Sequence, residues 1–132
     1  MMLMKLNTYL GGKLQKVELV SGEQCWAFCL SQYVTEACQN VQNYLKERNG
    51  DAYVQECTSF MPKKAPTPMS NEYHPEIDIS PELNATDAAY YQSLIGILRW
   101  MVELGRVDIT TEVLMLSSCL ALPREGHLKQ MF

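Results

Sequence analysis

A periodic block spanning Tyr90–His127 constrains the fold more than any other stretch of this chain. Its first half repeats apolar residues at helical spacing, which predicts an amphipathic helix. Thr86 or Asp87 is a suitable N-cap, and the helix is predicted to run to about Leu104. Gly105 then stands where a helix commonly stops.

A second helix is predicted from about Ile109 to Leu122, where Pro123 ends it because proline cannot continue the helical hydrogen bonding. Two helices on a short connection are typical of an antiparallel helical hairpin. A third helix is predicted to begin at Arg124-Glu125, and we expect it to be a truncated element that is cut off at Phe132.

The first helix of the block has two different faces. At roughly 100° per residue, one face gathers an apolar stripe that must be buried, namely Tyr91, Leu94, Ile95, Leu98, Met101 and Val102. Gln92, Gly96 and Trp100 form a row on another face, together with Arg99 and Glu103. Glycine costs about 1 kcal/mol relative to alanine inside a helix, so Gly96 calls for a reason. Either a neighbouring helix packs on Gly96 and Trp100, or the row is a surface that a groove or backbone approaches closely.

The N-terminal part has strand character. Leu6–Leu19 and Gln24–Leu30 read as two strands joined by a turn at Ser21-Gly22, which predicts a β-hairpin. Gly11 and Gly12 lie inside the first strand, where glycines indicate a bulge or a close backbone approach.

A helix follows this hairpin, from Gln32 to about Arg48, with Ser31 as its cap and Asn49-Gly50 at its end. Residues 50–86 contain five of the six prolines and predict a long, largely extended connection. The predicted class is therefore α+β and mainly helical, with an N-terminal β-hairpin, a long Pro-containing connection and a bundle of about three helices.

The net charge and the cysteine content argue against several classes of function. The net charge of −4 argues against strong autonomous nucleic-acid binding, although it leaves room for a local contact surface. Five cysteines without a secretory signal suggest an intracellular, reduced protein, and their spacing is wrong for a zinc or redox site. Cys38 and Cys119 are expected on apolar helix faces. No apolar run is long enough to span a membrane.

No catalytic constellation is present in the sequence. There is no paired-carboxylate motif, Gly-rich phosphate loop or nucleophile elbow. Asp108 and Glu112 stand at a helix start, where acids are expected for structural reasons rather than as metal ligands. His127 is interpreted as a structural residue at a helix start rather than as a base.

Three pieces of the periodic block resemble the copia-type (Ty1-like) retrotransposon polyprotein, in the C-terminal part of its reverse transcriptase. They are Tyr91-x-Ser93-Leu94-Ile95-Gly96-x-Leu98, Val107-Asp108-Ile109 and Pro123-x-x-x-His127-Leu128. The family's Arg-Pro-Asp-Ile is here Arg106-Val107-Asp108-Ile109, so its proline is missing.

Earlier pieces follow in the family's order, so the resemblance covers the chain from about Tyr9 to Phe132. The pieces similar to its Phe-Leu-Gly strand, its Leu-Ser-Gln helix start and its Thr-Pro connection are Tyr9-Leu10-Gly11, Leu30-Ser31-Gln32 with Ala37, and Ala65-Pro66-Thr67-Pro68. The last two are weak alone and gain force from their order.

The resemblance implies roles for particular residues. A primer-grip hairpin would let the backbone at Gly11 and Gly12 approach a primer phosphate. The thumb helix would place Gln92, Gly96 and Trp100 along the minor groove of a template–primer duplex, with Arg99 attracting phosphate. Glu103 on the same side counts against this assignment because it would approach phosphates.

The resemblance also implies a partial reverse transcriptase domain over residues 1–132. Its parts are a primer-grip-like hairpin at 1–30, the first helix at 31–49, the extended connection at 50–86, the helical hairpin at 87–122 and the truncated helix at 123–132. The family's catalytic Asp-Asp motif is expected upstream and its ribonuclease H acids downstream, and this sequence contains no Asp-Asp pair. We therefore expect no catalytic residue, metal site or cofactor in this chain, although the parent enzyme would use Mg.

The expected partners are an RNA/DNA template–primer duplex and the palm and ribonuclease H portions of the polyprotein, with no membrane. The expected location is cytoplasmic or nuclear. The competing hypothesis is a relic or a protein-interaction helical module without a nucleic-acid role, which the net acidity favours.

Overall fold

The computed structural model of the protein describes residues 8–49 and 68–132. The chain forms two compact units, Met1–Tyr44 and Leu45–Phe132, and each is described by itself. Strands occupy the first unit and most helices the second, which confirms the predicted α+β class. Within the described residues, no helix has the length and apolarity needed to cross a membrane.

The first unit contains an antiparallel sheet in the order β1-β2-β3, formed by Thr8–Tyr9, Gly12–Glu18 and Gln24–Cys29. The prediction of one continuous strand over Leu6–Leu19 is wrong, because a tight turn divides it. Leu10 and Gly11 have φ of +50° and +85°, and Tyr9 pairs with Gly12 across them. Positive φ at both central residues is the signature of the type I′ turns that suit the twist of two-residue hairpins.

The return strand and its turn agree with the prediction. β2 and β3 pair from Lys13 with Cys29 to Glu18 with Gln24. Gly22, at φ +82°, allows its N–H to reach the Leu19 carbonyl at 2.8 Å. Because Gly has no Cβ, it adopts this conformation readily.

Helix α1 spans Ser31–Asn49 and confirms the predicted helix to within one residue at each end. Side-chain hydrogen bonds between residues four apart support its exposed face, from Gln32 to Glu36 and from Gln39 to Asn43, both at 3.0 Å.

Helix α2 spans Ala85–Glu103, but its cap is neither Thr86 nor Asp87. The Asn84 side chain accepts the Asp87 N–H at 2.9 Å, and the Asn84 amide donates to the Asp87 carboxylate at 3.0 Å. Asp87 is buried, and its carboxylate also forms an ion pair with the Arg48 guanidinium at 3.0 Å. Both partners of this ion pair belong to the second unit.

The end of α2 confirms the predicted role of Gly105. The Arg106 N–H donates to the Met101 carbonyl at 2.9 Å, and the Gly105 N–H donates to Val102 at 3.1 Å. These two bonds form a Schellman motif, which requires the positive φ of +122° that Gly105 adopts.

The second helix of the block is shorter than predicted. A 3₁₀ turn at Val107–Ile109 leads into α3, Thr110–Ser117, which ends five residues before Leu122. The hydroxyls of Ser117 and Ser118 donate to the carbonyls of Val113 and Met115 at 2.6 Å. Such side-chain bonds compete with continued helical hydrogen bonding, and residues 118–121 form turns instead.

A short helix, α4 at Glu125–Lys129, stands where the third helix was predicted. The Arg124 N–H donates to Nδ1 of the buried His127 at 3.0 Å, so Nε2 carries the ring proton and donates to the Pro75 carbonyl at 3.1 Å. This geometry confirms the structural role of His127 at a helix start.

Part of the Pro-containing connection is ordered by α4. Residues 50–67 lie outside the described residues, but a 3₁₀ turn forms at Pro75–Ile77, and Glu82 pairs with Arg124 in an isolated antiparallel bridge. The Leu83 N–H donates to Pro123 and the Glu125 N–H to Pro81, both at 3.0 Å. The connection therefore follows the C-terminal segment rather than running free to residue 86.

A polar network centred on Asp78 fastens this connection. Its carboxylate accepts the Tyr73 hydroxyl and, at 2.7 Å, the Ser80 N–H, while the Ser80 hydroxyl accepts the Gly126 N–H at 2.8 Å. A Cβ on Gly126 would stand 1.8 Å from the Asp78 carboxylate, so only glycine allows this approach. Burial alone would raise the pKa of Asp78, but hydrogen bonds from Ser80 and Tyr73 outweigh it and lower the pKa to about 2.

We predict that acid weakens the second unit through Asp78. Since its folded pKa lies below the ordinary 3.8, the carboxylate stabilises the fold above about pH 4, and this contribution disappears as the pH falls towards 2. Asp78→Asn should lower the free energy of unfolding by about 1–2 kcal/mol at neutral pH and flatten its dependence between those pH values.

Urea unfolding of the two proteins at pH 6 and pH 3 measures both effects. Glu76→Gln, in the neighbouring 3₁₀ turn, is the matched control because Glu76 is exposed. An Asp78→Asn protein with the stability and acid dependence of the Glu76→Gln control would contradict the assignment.

Candidate nucleic-acid interface

The predicted row on α2 lies on the exposed side of that helix. Gln92, Gly96 and Trp100 are all exposed, whereas Tyr91, Leu94 and Ile95 are buried on the opposite side. Trp100 keeps 37% of its surface accessible. The helical-face prediction is therefore confirmed for these six residues.

Gly96 has no packing reason among the residues that the structure describes. An added Cβ would meet no atom within 4 Å. The interpretation of Gly96 as a seat for a neighbouring helix is thus unsupported within the described parts of the chain, since no residue described there occupies the space above it.

Gln92 is held at one end of the row by the turn that follows α3. Its Nε2 donates to the Leu120 carbonyl, with 3.4 Å between nitrogen and oxygen. This bond is long, but it gives the amide a preferred orientation. The early end of α3 produces the turn that supplies this carbonyl.

Arg99 and Glu103 are both exposed on α2, one turn apart. Together with Val102, they line a shallow cleft against α3, whose side is formed by Thr110, Val113 and Leu114. Opposite charges one turn apart give this part of the surface little net field, so Arg99 does not belong to a basic patch here.

Gly11 and Gly12, the two candidate glycines in the sheet, each lie against an aromatic ring that leaves little room for a larger residue. Gly11 is exposed in the β1–β2 turn, and a Cβ there would stand 3.1 Å from the Tyr33 ring. Gly12 is buried, and an added Cβ would stand 2.1 Å from Phe28, whose ring covers it. An aromatic ring over a strand glycine compensates for the missing side chain. Of the pair, Gly11 is therefore the one that leaves its backbone accessible.

The candidate residues occupy different units. Gly11 and Gly12 lie in the first unit, and Gln92, Gly96, Arg99 and Trp100 lie together in the second.

An exposed aromatic face of the sheet was missed in the sequence. Trp26 is 67% exposed, with the Lys16 ammonium 5.4 Å from its ring centre, and Phe28 and Tyr9 are exposed as well. The signal lies in β3, where exposed Trp26 and Phe28 alternate with half-buried cysteine and alanine. Period-two alternation normally buries the larger residues, so this reversal could have been found. The Asp78 network had no such signal, because its contact with α4 joins Gly126 to Ser80, 46 positions apart in the sequence.

The described cysteines are free thiols: Cys25, Cys29, Cys38 and Cys119. Cys38 is exposed, so it is not buried as the small hydrophobe that the sequence predicts, although it lies three residues before the buried Val41 on α1. The Cys29 thiol lies 3.2 Å from the Ser31 hydroxyl, and hydrogen bonding to Ser31 lowers the pKa of the thiol. Within the described ranges, no three His, Cys, Asp or Glu side chains gather as metal ligands.

The Asp108 carboxylate forms an ion pair with the nearby Arg106. It accepts two hydrogen bonds from the Arg106 guanidinium, both at 2.8 Å. This pair follows the Schellman turn and supports the interpretation of Asp108 as a structural acid.

Comparison with family models, curated proteins and solved structures finds no match for this chain.

We predict that Gly96→Ala stabilises the protein. The open space above Gly96 accepts a methyl group, and alanine favours a helix over glycine by about 0.5–1 kcal/mol. Urea unfolding should show this gain. Gly105→Ala is the opposite control, because its φ of +122° strains any other residue and should lower stability. A Gly96→Ala protein less stable than the natural one would mean that something packs on this position.

Proposed function

We propose that this chain is part of the reverse transcriptase of a copia-type retrotransposon and that it holds a template–primer duplex. The resemblance of the block from Tyr91 to Leu128, and the order of the earlier pieces, support the family. Within it, this chain corresponds to the primer grip, the thumb and the start of the connection to ribonuclease H.

One observation carries the proposed contact: Gln92, Gly96 and Trp100 form a row on the exposed face of α2, and no residue in the described ranges occupies the space above Gly96. A duplex backbone or groove edge can approach a helix closely where a side chain is missing. The flat Trp100 ring then packs against sugar and base edges, and Gln92 hydrogen-bonds to them. A glycine that destabilises its helix and admits no neighbour in the described structure fits a contact made only with a ligand.

The other candidate residues have supporting roles in this proposal. Arg99 attracts a phosphate beside the row, and the exposed backbone at Gly11 approaches the primer strand, with Gly12 kept small by Phe28. Catalysis belongs to the parent protein, because two-metal polymerisation needs carboxylates that an Asp-Asp motif supplies and this sequence has none. The Mg of the parent would be bound by its palm, which is a proposed partner together with the ribonuclease H portion. The proposed location is intracellular, cytoplasmic or nuclear.

A protein-interaction module is the second candidate. Val107, Leu114 and Leu122 are 74%, 60% and 53% exposed, which gives the helical unit an apolar surface beyond its core. Residues 68–132 also carry nine acidic against four basic side chains, a balance that disfavours binding to phosphates. If this candidate is correct, the chain binds a protein partner, and substitution of Gln92, Gly96 or Trp100 does not weaken that binding.

A fluorescence titration with a primer–template hybrid distinguishes the two candidates. We expect the hybrid to change the emission of Trp100, and the change should weaken between low and moderate salt because phosphate contacts release counterions. In Trp100→Phe the emission signal should be lost because its fluorophore is removed. In Trp100→Ala the affinity should fall several-fold, because the ring that packs against sugar and base edges is removed as well.

Trp26→Phe is the matched control, because Trp26 is the other tryptophan, is exposed, and lies in the sheet. It should keep both the signal and the affinity. A folded chain that binds no hybrid, or one whose affinity is equal in Trp100→Ala and Trp26→Phe, would contradict the proposed contact.

A further inference from the structure

We propose that two copies of this chain pair through the outer edge of β3, so that their three-stranded sheets join into one continuous sheet. This inference concerns the first unit and does not depend on the proposed contact with a duplex. It rests on the side of β3 that carries unused backbone groups, on the sequence of that strand and on the register that two-fold symmetry allows.

β3 is the long edge strand of the sheet. The sheet order is β1-β2-β3, and within residues 8–49 and 68–132 no strand pairs with the outer side of β3. The opposite edge is formed by β1, which has only two residues, and very short edge strands are poor templates for pairing. The edge that can accept another strand is therefore the one formed by Gln24–Cys29.

The hydrogen-bonding phase of the hairpin shows which residues of β3 face this edge. The Leu19 N–H donates to the Glu23 carbonyl where the hairpin begins. Because hydrogen-bonded pairs alternate along an antiparallel ladder, every second residue of β3 bonds to β2, beginning with Cys25. The residues between them have their N–H and C=O groups on the outer edge, and these are Gln24, Trp26 and Phe28.

The sequence of β3 lacks the residues that keep natural edge strands apart. Such edges are usually protected by charged side chains, especially lysine, by proline or by a bulge. None of the residues Gln24–Cys29 is charged or a proline, and their register with β2 is continuous. A second β3 strand can therefore approach this edge without placing like charges opposite each other.

Two-fold symmetry limits the register of such a pair. Both members of a hydrogen-bonded pair must have outward-facing backbone groups, and the two strands must run antiparallel. With the axis at Ala27, Trp26 of each copy pairs with Phe28 of the other, so two aromatic pairs form between exposed rings on one face of the sheet. An axis at Trp26 or at Phe28 gives only one such pair, and we therefore assign the axis to Ala27.

The same register brings thiols together on the opposite face of the sheet. Cys25 of one copy lies directly opposite Cys29 of the other, as a non-hydrogen-bonded pair whose Cα atoms are about 4.5 Å apart. A disulfide spans that distance. Within one chain the two residues are separated by four positions of a strand, or about 13 Å, so a Cys25–Cys29 disulfide must join two copies.

Sedimentation equilibrium of the full chain in reducing buffer tests the pairing. We expect the dimer fraction to rise with protein concentration. Trp26→Ser should raise the dimer dissociation constant at least about fivefold, because each of the two aromatic pairs loses a ring. Tyr9→Ser is the matched control, since Tyr9 is an exposed aromatic residue on β1, away from the proposed join, and it should leave the constant unchanged.

Disulfide mapping tests the register. Diamide oxidises two thiols to a disulfide and takes up both hydrogens, and mass spectrometry of proteolytic peptides then identifies the joined cysteines. We expect a link between Cys25 and Cys29, whereas random collisions would link the exposed Cys38 first. Cys25→Ser and Cys29→Ser should each lose the link, and a mixture of the two variants should regain it between unlike chains.

Three results would overturn the inference. A folded chain that stays monomeric and forms no Cys25–Cys29 link would show that β3 pairs with no second copy. A dimer that is weakened by Trp26→Ser but never forms this link would mean that the aromatic faces of two sheets stack, because both cysteines lie on the other face. A dimer that Trp26→Ser and Tyr9→Ser affect equally would contradict the position of the join.

Discussion

Tyr91 is the residue on which the helical unit depends. Its ring has no accessible surface, its hydroxyl donates to the Leu116 carbonyl at 2.7 Å, and the His127 ring lies 6.3 Å away, centre to centre. One side chain therefore connects α2, α3 and α4. Burial raises the pKa of Tyr91, so its hydroxyl stays a proton donor to that carbonyl. Losing the bond would leave a buried polar group unpaired, at a cost of about 1–3 kcal/mol.

The position of Tyr91 also determines which side of α2 faces outward. Tyr91, Leu94 and Ile95 bind that helix to the core through one face, and the 100° step between residues then places Gln92 and Gly96 on the other. The candidate site is thus a consequence of core packing. The Gln92 side chain is tethered by its hydrogen bond to the turn that follows α3.

A structural feature could be predicted from the sequence when the residues that form it lie close together along the chain. The helical faces, the stop at Gly105 and the row on α2 depend on residues within a few positions of one another, and periodicity predicts such features well. Asn84 was missed because several residues there can cap, and only the geometry selects one. The turn at Leu10 and Gly11 was missed because a positive φ at leucine is rare, so nothing in the local sequence announces it. The Asp78 network was not predictable, since Ser80, which donates to Asp78, also bonds to Arg124 and Gly126, more than 40 positions away.

The central claim is that the exposed face of α2 contacts a template–primer duplex. The most direct measurement is a two-dimensional ¹H–¹⁵N NMR titration of the chain with an RNA/DNA hybrid. We predict that the resonances of the Gly96 backbone amide and the Trp100 indole N–H shift first and furthest, followed by those of the Gln92 side-chain amide. Shifts confined to the exposed apolar residues Val107 and Leu114, or no shift in a folded chain, would contradict it.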